Sequence, residues 1–282
     1  MRKAPTLLLA TAFCATAMAQ EATQEPPREL PGLSADSLNM RAYELLSAPE
    51  PDIVEGIRML TQAAGAGSVK AASNLGWLYI DGTIVERDYA EGARWLGRAA
   101  AEGLPVAQSL LGDLYRDGLG MPADSVAADS LYRRAFEGGL ADAGYKLAAL
   151  REPSYERLSA PELTAEGKYF YLRGAPSEGV KLFYRAADMD SAEAYTLLGD
   201  AYSRAIGVPY DHDLSLQYFV KGAEGGNPSA QFVVAEMLEI FPDALSRREE
   251  WNALPADPLY WYEKAASAGV SNADEAYSRL LD

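Results

Sequence analysis

Apolar residues 68–81 recur at spacings of three and four. Ala71, Ala72, Leu75, Leu78 and Tyr79 fall on one face of a helix, with polar residues opposite. Asp81-Gly82 follows, and glycine there supplies the left-handed residue that closes a helix. After a short turn, residues 88–102 repeat the pattern. Ala93, Leu96, Ala99 and Ala100 line the second face, Trp95 stands beside them, and Gly103 ends the segment. The sequence thus predicts two short amphipathic helices, folded back on one another. A helix of this length is marginal by itself in water, so each pair must bury its face against a neighbouring pair.

The pair recurs with a period of 36. Gly67, Gly103 and Gly139 keep it, as do Ala71, Ala107 and Ala143, Leu75-Gly76 and Leu111-Gly112, and Tyr79 and Tyr115. Later, Ala187 and Ala223 are related in the same way, as are Ala194 and Ala230. From Gly226 to Gly269 the step is 43, which fits a seven-residue insertion. A second relation has an offset of 123 and links Gly56 to Gly179, Leu75-Gly76 to Leu198-Gly199, and Asp88 to Asp211. It divides the chain into similar halves, 34–150 and 162–282. Each half has an atypical opening hairpin (35–66, 162–190), two regular repeats and a lone closing helix (140–150, 270–281). The junction 151–161, REPSYERLSAP, reads either as a kink or hinge between halves or as a repeat with a degenerate second helix. The expected class is all-α, with about fourteen helices in a right-handed superhelix of antiparallel pairs.

The pattern A-x-x-x-L-G-x-x-Y-x-D-G, followed by D-x-x-x-G-A-x-W-x-x-x-A-A-x-x-G, resembles the Sel-one-like repeat (SLR) family, a relative of the tetratricopeptide repeat. The fullest match is Leu75, Gly76, Tyr79, Gly82, Asp88, Ala93, Trp95, Ala99, Ala100 and Gly103. Residues 104–139 and 191–226 follow it well. Residues 227–269 depart from it, with Val234-Ala235 in place of Leu-Gly and Leu238 in place of Tyr. Cysteine-rich members of this family have been linked to penicillin binding; they resemble chains with paired cysteines, which are lacking here, so that activity is not carried over.

The start of the chain reads as a secretory leader. Arg2 and Lys3 precede a short apolar run, Leu7 to Phe13, too short to span a bilayer, and Ala17-Met18-Ala19 has the form of a cleavage site. Residues 1–19 are expected to be removed, leaving Gln20 first and an exported protein, periplasmic or extracellular, with no membrane insertion. The one cysteine, Cys14, falls within the leader. Residues 20–33 are polar and proline-rich and read as a flexible tether. The formal charge of −16 argues against nucleic acid, whose phosphates require a basic surface.

Chemistry is sparse in this sequence. His212 is the only histidine, flanked by Asp211 and Asp213. It reads as a turn residue at a helix start, with a metal ligand or general base as the minor alternative. Gly118-Leu119-Gly120 is an interhelical turn, since no strand precedes it. Asp81, Asp88, Asp117 and Asp124 recur with the repeat, as helix-capping residues do. Asp-Ser-aliphatic triplets such as Asp129-Ser130-Leu131 resemble an O-glycosylation acceptor of exported bacterial proteins, but read first as helix starts, where Asp and Ser belong anyway. No cofactor, metal site or catalytic residue is expected.

The resemblance to tetratricopeptide proteins implies a groove lined by the outward positions of each first helix. Counting from the Leu-Gly pairs places Trp77, Asp113, Arg116 and Tyr145 there in the first half, and Asp200, Phe232 and Glu236 in the second. Trp77 and Phe232 read equally as anchors for a partner or as packing residues. The acidic members suit a protein or peptide with a basic segment. The expected function is an exported scaffold for protein–protein interaction; the alternative is a hydrolase acting on cell-wall material.

Overall fold

The computed structural model describes residues 33–247, 249–251 and 253–281. The leader 1–19, Cys14, and the tether except Leu33 lie outside the described residues. Among the described residues there are fourteen α-helices and no strand.

The chain divides between Leu150 and Arg151 into two compact units. Unit 1 stacks three pairs: α1 (Ala35–Leu46) with α2 (Ile53–Gly65), α3 (Val69–Asp81) with α4 (Tyr89–Ala101), and α5 (Pro105–Asp117) with α6 (Ser125–Glu137). It closes on α7 (Ala141–Arg151). A 3-10 turn, Glu152–Arg157, occupies most of the 151–161 stretch. Unit 2 then repeats the plan with α8 (Ala160–Arg173) and α9 (Pro176–Ala187), α10 (Ala192–Arg204) and α11 (His212–Glu224), and α12 (Pro228–Ile240) and α13 (Pro258–Ser267). It closes on α14 (Ala273–Leu281).

The repeated residues are the ones that make the helices begin, end and approach. Five of the six second helices start on an aspartate, and α9 starts on Ala175 instead. Asp88 accepts from the Glu91 amide at 3.0 Å, and Asp124 accepts from the amides of Val126 and Ala127, both at 2.9 Å. First helices of the regular repeats in unit 1 end on Gly82 and Gly118, both left-handed (φ 70° and 67°). In unit 2 the non-glycine Ala205 takes the same conformation at φ 54°.

The Leu-Gly glycines set the helix spacing. A Cβ on Gly76 would lie 2.6 Å from Leu96 Cγ; on Gly112, 2.7 Å from the Tyr132 ring; on Gly199, 2.8 Å from the Phe219 ring. Each glycine therefore admits a bulky side chain of its own partner helix. Around these contacts Leu75, Leu96, Leu114 and Leu131 in unit 1, and Leu216, Val220 and Leu238 in unit 2, are buried.

Two buried glutamines fix how one pair sits on the next. Gln108 Nε2 donates to the Ala100 carbonyl at 3.2 Å, and Gln231 Nε2 donates to the Ala223 carbonyl at 3.3 Å. Each joins a first helix to the end of the preceding second helix, through a last-turn carbonyl that also accepts from the Gly103 or Gly226 amide.

Candidate partner-binding face

In unit 1 successive first helices touch one another, α1 against α3 and α3 against α5. They form one layer with a shared outward face. On α3 that face is the stripe Lys70, Asn74 and Trp77, spaced four and three residues apart and exposed, between the buried Ala71, Ala72, Leu75 and Leu78. On α1 the same stripe is Asp36, Met40 and Tyr43. The N-caps Ser34 and Ser68 establish the correspondence, in which Tyr43 and Trp77 hold the same position of their helices.

Trp77 leaves 46% of its surface in solvent and Tyr43 leaves 67%. Met40, Val106 and Tyr145 are exposed on α1, α5 and α7. Among the described large apolar residues exposed in unit 1, only Val126 lies on a second helix. Solvation would scatter such residues; here they collect on one layer. Trp77 is thus free of the core. Tyr43 was not among the groove positions counted from the Leu-Gly pairs, because α1 carries Arg41-Ala42 where its neighbours carry Leu-Gly.

Asp113 and Arg116 stand on α5, joined in a polar knot. Asp113 accepts from the Tyr132 hydroxyl at 2.7 Å and from Lys146 Nζ, on α7, at 2.8 Å; Arg116 lies 3.4 Å from it. Arg116 holds Asp117 through two 2.7 Å bonds, which keeps the Asp117 carboxyl below the usual range. Burial, and then the bond to Asp113, pushes the Tyr132 hydroxyl well above its ordinary value. Asp113 is therefore already satisfied by the repeat. Lys146 also donates to the buried Ser109 at 3.1 Å.

The sequence-predicted residues of unit 2 fall into different surroundings. Asp200 accepts from the Tyr171 hydroxyl at 3.2 Å and faces Arg204 at 3.4 Å. Phe232 is half-buried on α12 and packs edge-on against Tyr262, ring centres 5.6 Å apart. Glu236 is exposed. Burial, and then the neighbouring Glu239, raises its carboxyl above the usual value against the pull of Arg279, while Arg279 itself is paired with Glu239 at 2.5 Å. His212 opens α11, its ring 6.5 Å from that of Phe241. Among the described residues no three His, Cys, Asp or Glu side chains come together to hold a metal ion. No described helix is long and apolar enough to cross a membrane.

A family model, the Sel1 repeat, matches residues 35–68, 69–104, 105–140, 164–191, 192–227 and 259–270. The chain belongs to the Sel1 repeat family. Sel1 repeat proteins are helical-repeat scaffolds for protein–protein interaction and are generally not catalysts. The matches begin with α1 and leave α12 and the 241–257 insertion unmatched, the region where Val234-Ala235 replaces Leu-Gly. No curated protein matches the chain.

Solved structures that it resembles include a protective antigen of uropathogenic Escherichia coli strains displaying an SLR fold. That match has 26% identity and a TM-score of 0.38, covering 95% of this chain and 59% of that one. This chain thus spans well under two thirds of the antigen's length. A Sel1 repeat protein from Oxalobacter formigenes has 26% identity and a TM-score of 0.38, with 87% and 88% covered. An immunity protein from Pseudomonas aeruginosa has 20% identity and a TM-score of 0.35, with 85% and 84% covered.

Proposed function

We propose that this protein is an exported scaffold that holds a partner protein or peptide on the first-helix face of unit 1. The observation that carries the reading is the gathering of Met40, Tyr43, Trp77, Val106 and Tyr145 on that layer. Stacking does not use these side chains, and large aromatic residues in such positions are common anchors of interfaces. On unit 2, taken by itself, Glu236 suits a basic segment, since it is exposed and has no cation in ion-pair contact among the described residues. Export rests on the leader pattern of residues 1–19 and on the confinement of the single cysteine, Cys14, to it.

A photo-crosslinking residue placed at Trp77 in the producing cell tests the face. A discrete set of polypeptide adducts is expected, absent when the same residue replaces Val126 on the second-helix layer. Equal labelling from both positions would reject the assignment. The export reading is checked by sequencing the mature N-terminus: Gln20 is expected, and a purified native chain that retains Cys14 would overturn it.

A further inference from the structure

Between α1 and α3 a polar pair accompanies the aromatic one. Asn74 Nδ2 donates to Asn39 Oδ1 at 2.9 Å, and neither amide has another hydrogen-bond partner among the described residues. One N–H₂ group and one carbonyl are left over, whichever way the two amides are turned. A free donor beside a free acceptor is the complement of a single peptide group, which offers one of each.

Charge adds a preference. The first helices of unit 1 carry four cations up to Leu150, and three are taken. Arg41 pairs with Glu44, Arg116 with Asp113 and Asp117, and Lys146 with Asp113 and Asp142. Lys70, one turn before Asn74 on the same exposed stripe, has no carboxylate within ion-pair reach among the described residues. Asp36 stands at the corresponding position of α1 and is not in contact with it.

We propose that the furrow between α1 and α3 binds an extended peptide segment carrying an acidic residue and a large apolar residue. The segment places one peptide group on the Asn39–Asn74 pair, its apolar side chain between Tyr43 and Trp77, and its carboxylate on Lys70. This rests on the first-helix reading and deepens it by naming the partner's chemistry. A bound helix is disfavoured, because its own ladder already uses the main-chain groups that the asparagines would meet. From Lys70 to Trp77 is seven residues of helix, about 10 Å at ~1.5 Å per residue. An extended chain covers that in about three residues. The acidic and apolar residues are therefore three apart in the partner.

The test is selection of random twelve-residue peptides displayed on phage against the full chain and against the variants Lys70→Glu and Trp77→Ala, each checked for unchanged helicity and melting. Wild-type protein is expected to enrich Asp or Glu three residues from a large apolar residue, about fivefold over the starting library. Lys70→Glu is expected to replace that preference with Lys or Arg at the same spacing. An ester in place of the peptide bond between the two residues should weaken a selected peptide about fivefold, the loss of one neutral hydrogen bond. Enrichment of apolar residues that Trp77→Ala abolishes but Lys70→Glu leaves unchanged would overturn the peptide chemistry and keep the face. Enrichment indifferent to both variants, or none above background, would overturn both.

Discussion

The Tyr132 hydroxyl donates to Asp113 Oδ1 at 2.7 Å while Lys146 holds the other oxygen of the same carboxylate. Three helices, α5, α6 and α7, are tied at that point. Tyr132→Phe removes one bond to a charged group and is expected to cost about 1.5 kcal/mol. Asp113→Ala leaves the Tyr132 hydroxyl without its acceptor and Lys146 with only Asp142 and Ser109, and is expected to cost more, about 2–3 kcal/mol. Chemical denaturation of the two variants gives the order. Equal costs would show that Lys146 finds another acceptor.

The glycines divide into those that a side chain would wreck and those that it would help. A Cβ on Gly112 meets the Tyr132 ring at 2.7 Å, within a closely packed pair. Gly112→Ala is expected to destabilise by about 1–3 kcal/mol as the ring is displaced, and Gly112→Leu by more. Gly97, in the middle of α4, has nothing within 4 Å of the added atom. Gly97→Ala is expected to stabilise by about 0.5–1 kcal/mol, through the lower backbone entropy of the unfolded chain. Melting temperatures of the two alanine variants should move in opposite directions.

The 36-residue period made the helix pairs legible, because the repeated residues are those whose size the packing dictates. Asp88, Gly82 and Gly112 each announce a cap, an end or a contact. The polar knot was not legible. Lys146 reaches Asp113 from the next first helix, and the corresponding residues on its neighbours are Leu110, Asn74 and Met40, so no repetition marks it. Tyr43 was hidden for another reason: α1 lies 34 residues before α3 rather than 36, as the caps Ser34 and Ser68 show. Aligning the serine caps in the sequence would have paired Tyr43 with Trp77.

Glu236 gives a dependence on pH. Its carboxyl in the folded chain is raised above 4.5 by burial and by Glu239. The folded state therefore holds this proton more tightly than the unfolded one. Its contribution to stability falls as pH rises from the unfolded value through the raised one. Glu236→Gln removes the cost, so the variant should be more stable than wild type at neutral pH, by well under 1 kcal/mol given the solvent screening of an exposed group. Below pH 4.5 the difference should vanish. A difference that grows toward acid pH would contradict the assignment.

Trp77 and Phe232 looked alike in the sequence, each an aromatic residue at a position the repeat leaves free, and the structure separates them. Phe232 packs edge-on against Tyr262 and belongs to the core margin of unit 2. Phe232→Ala is expected to cost about 1–3 kcal/mol, less than a fully buried ring because part of it already meets water. Trp77 leaves 46% of its surface in solvent and lies outside the buried core cluster, and Trp77→Ala should cost less, about 0.5 kcal/mol, close to surface positions generally. Partner binding should reverse the order. Truncating Trp77 removes an anchor and should cost more than about 2 kcal/mol of affinity, whereas Phe232→Ala should act only through the stability of unit 2. Thermal melts paired with affinity for a peptide from the selection described above supply both axes. A Trp77→Ala chain that melts early and still binds would make Trp77 a packing residue and move the contact to another part of the first-helix layer.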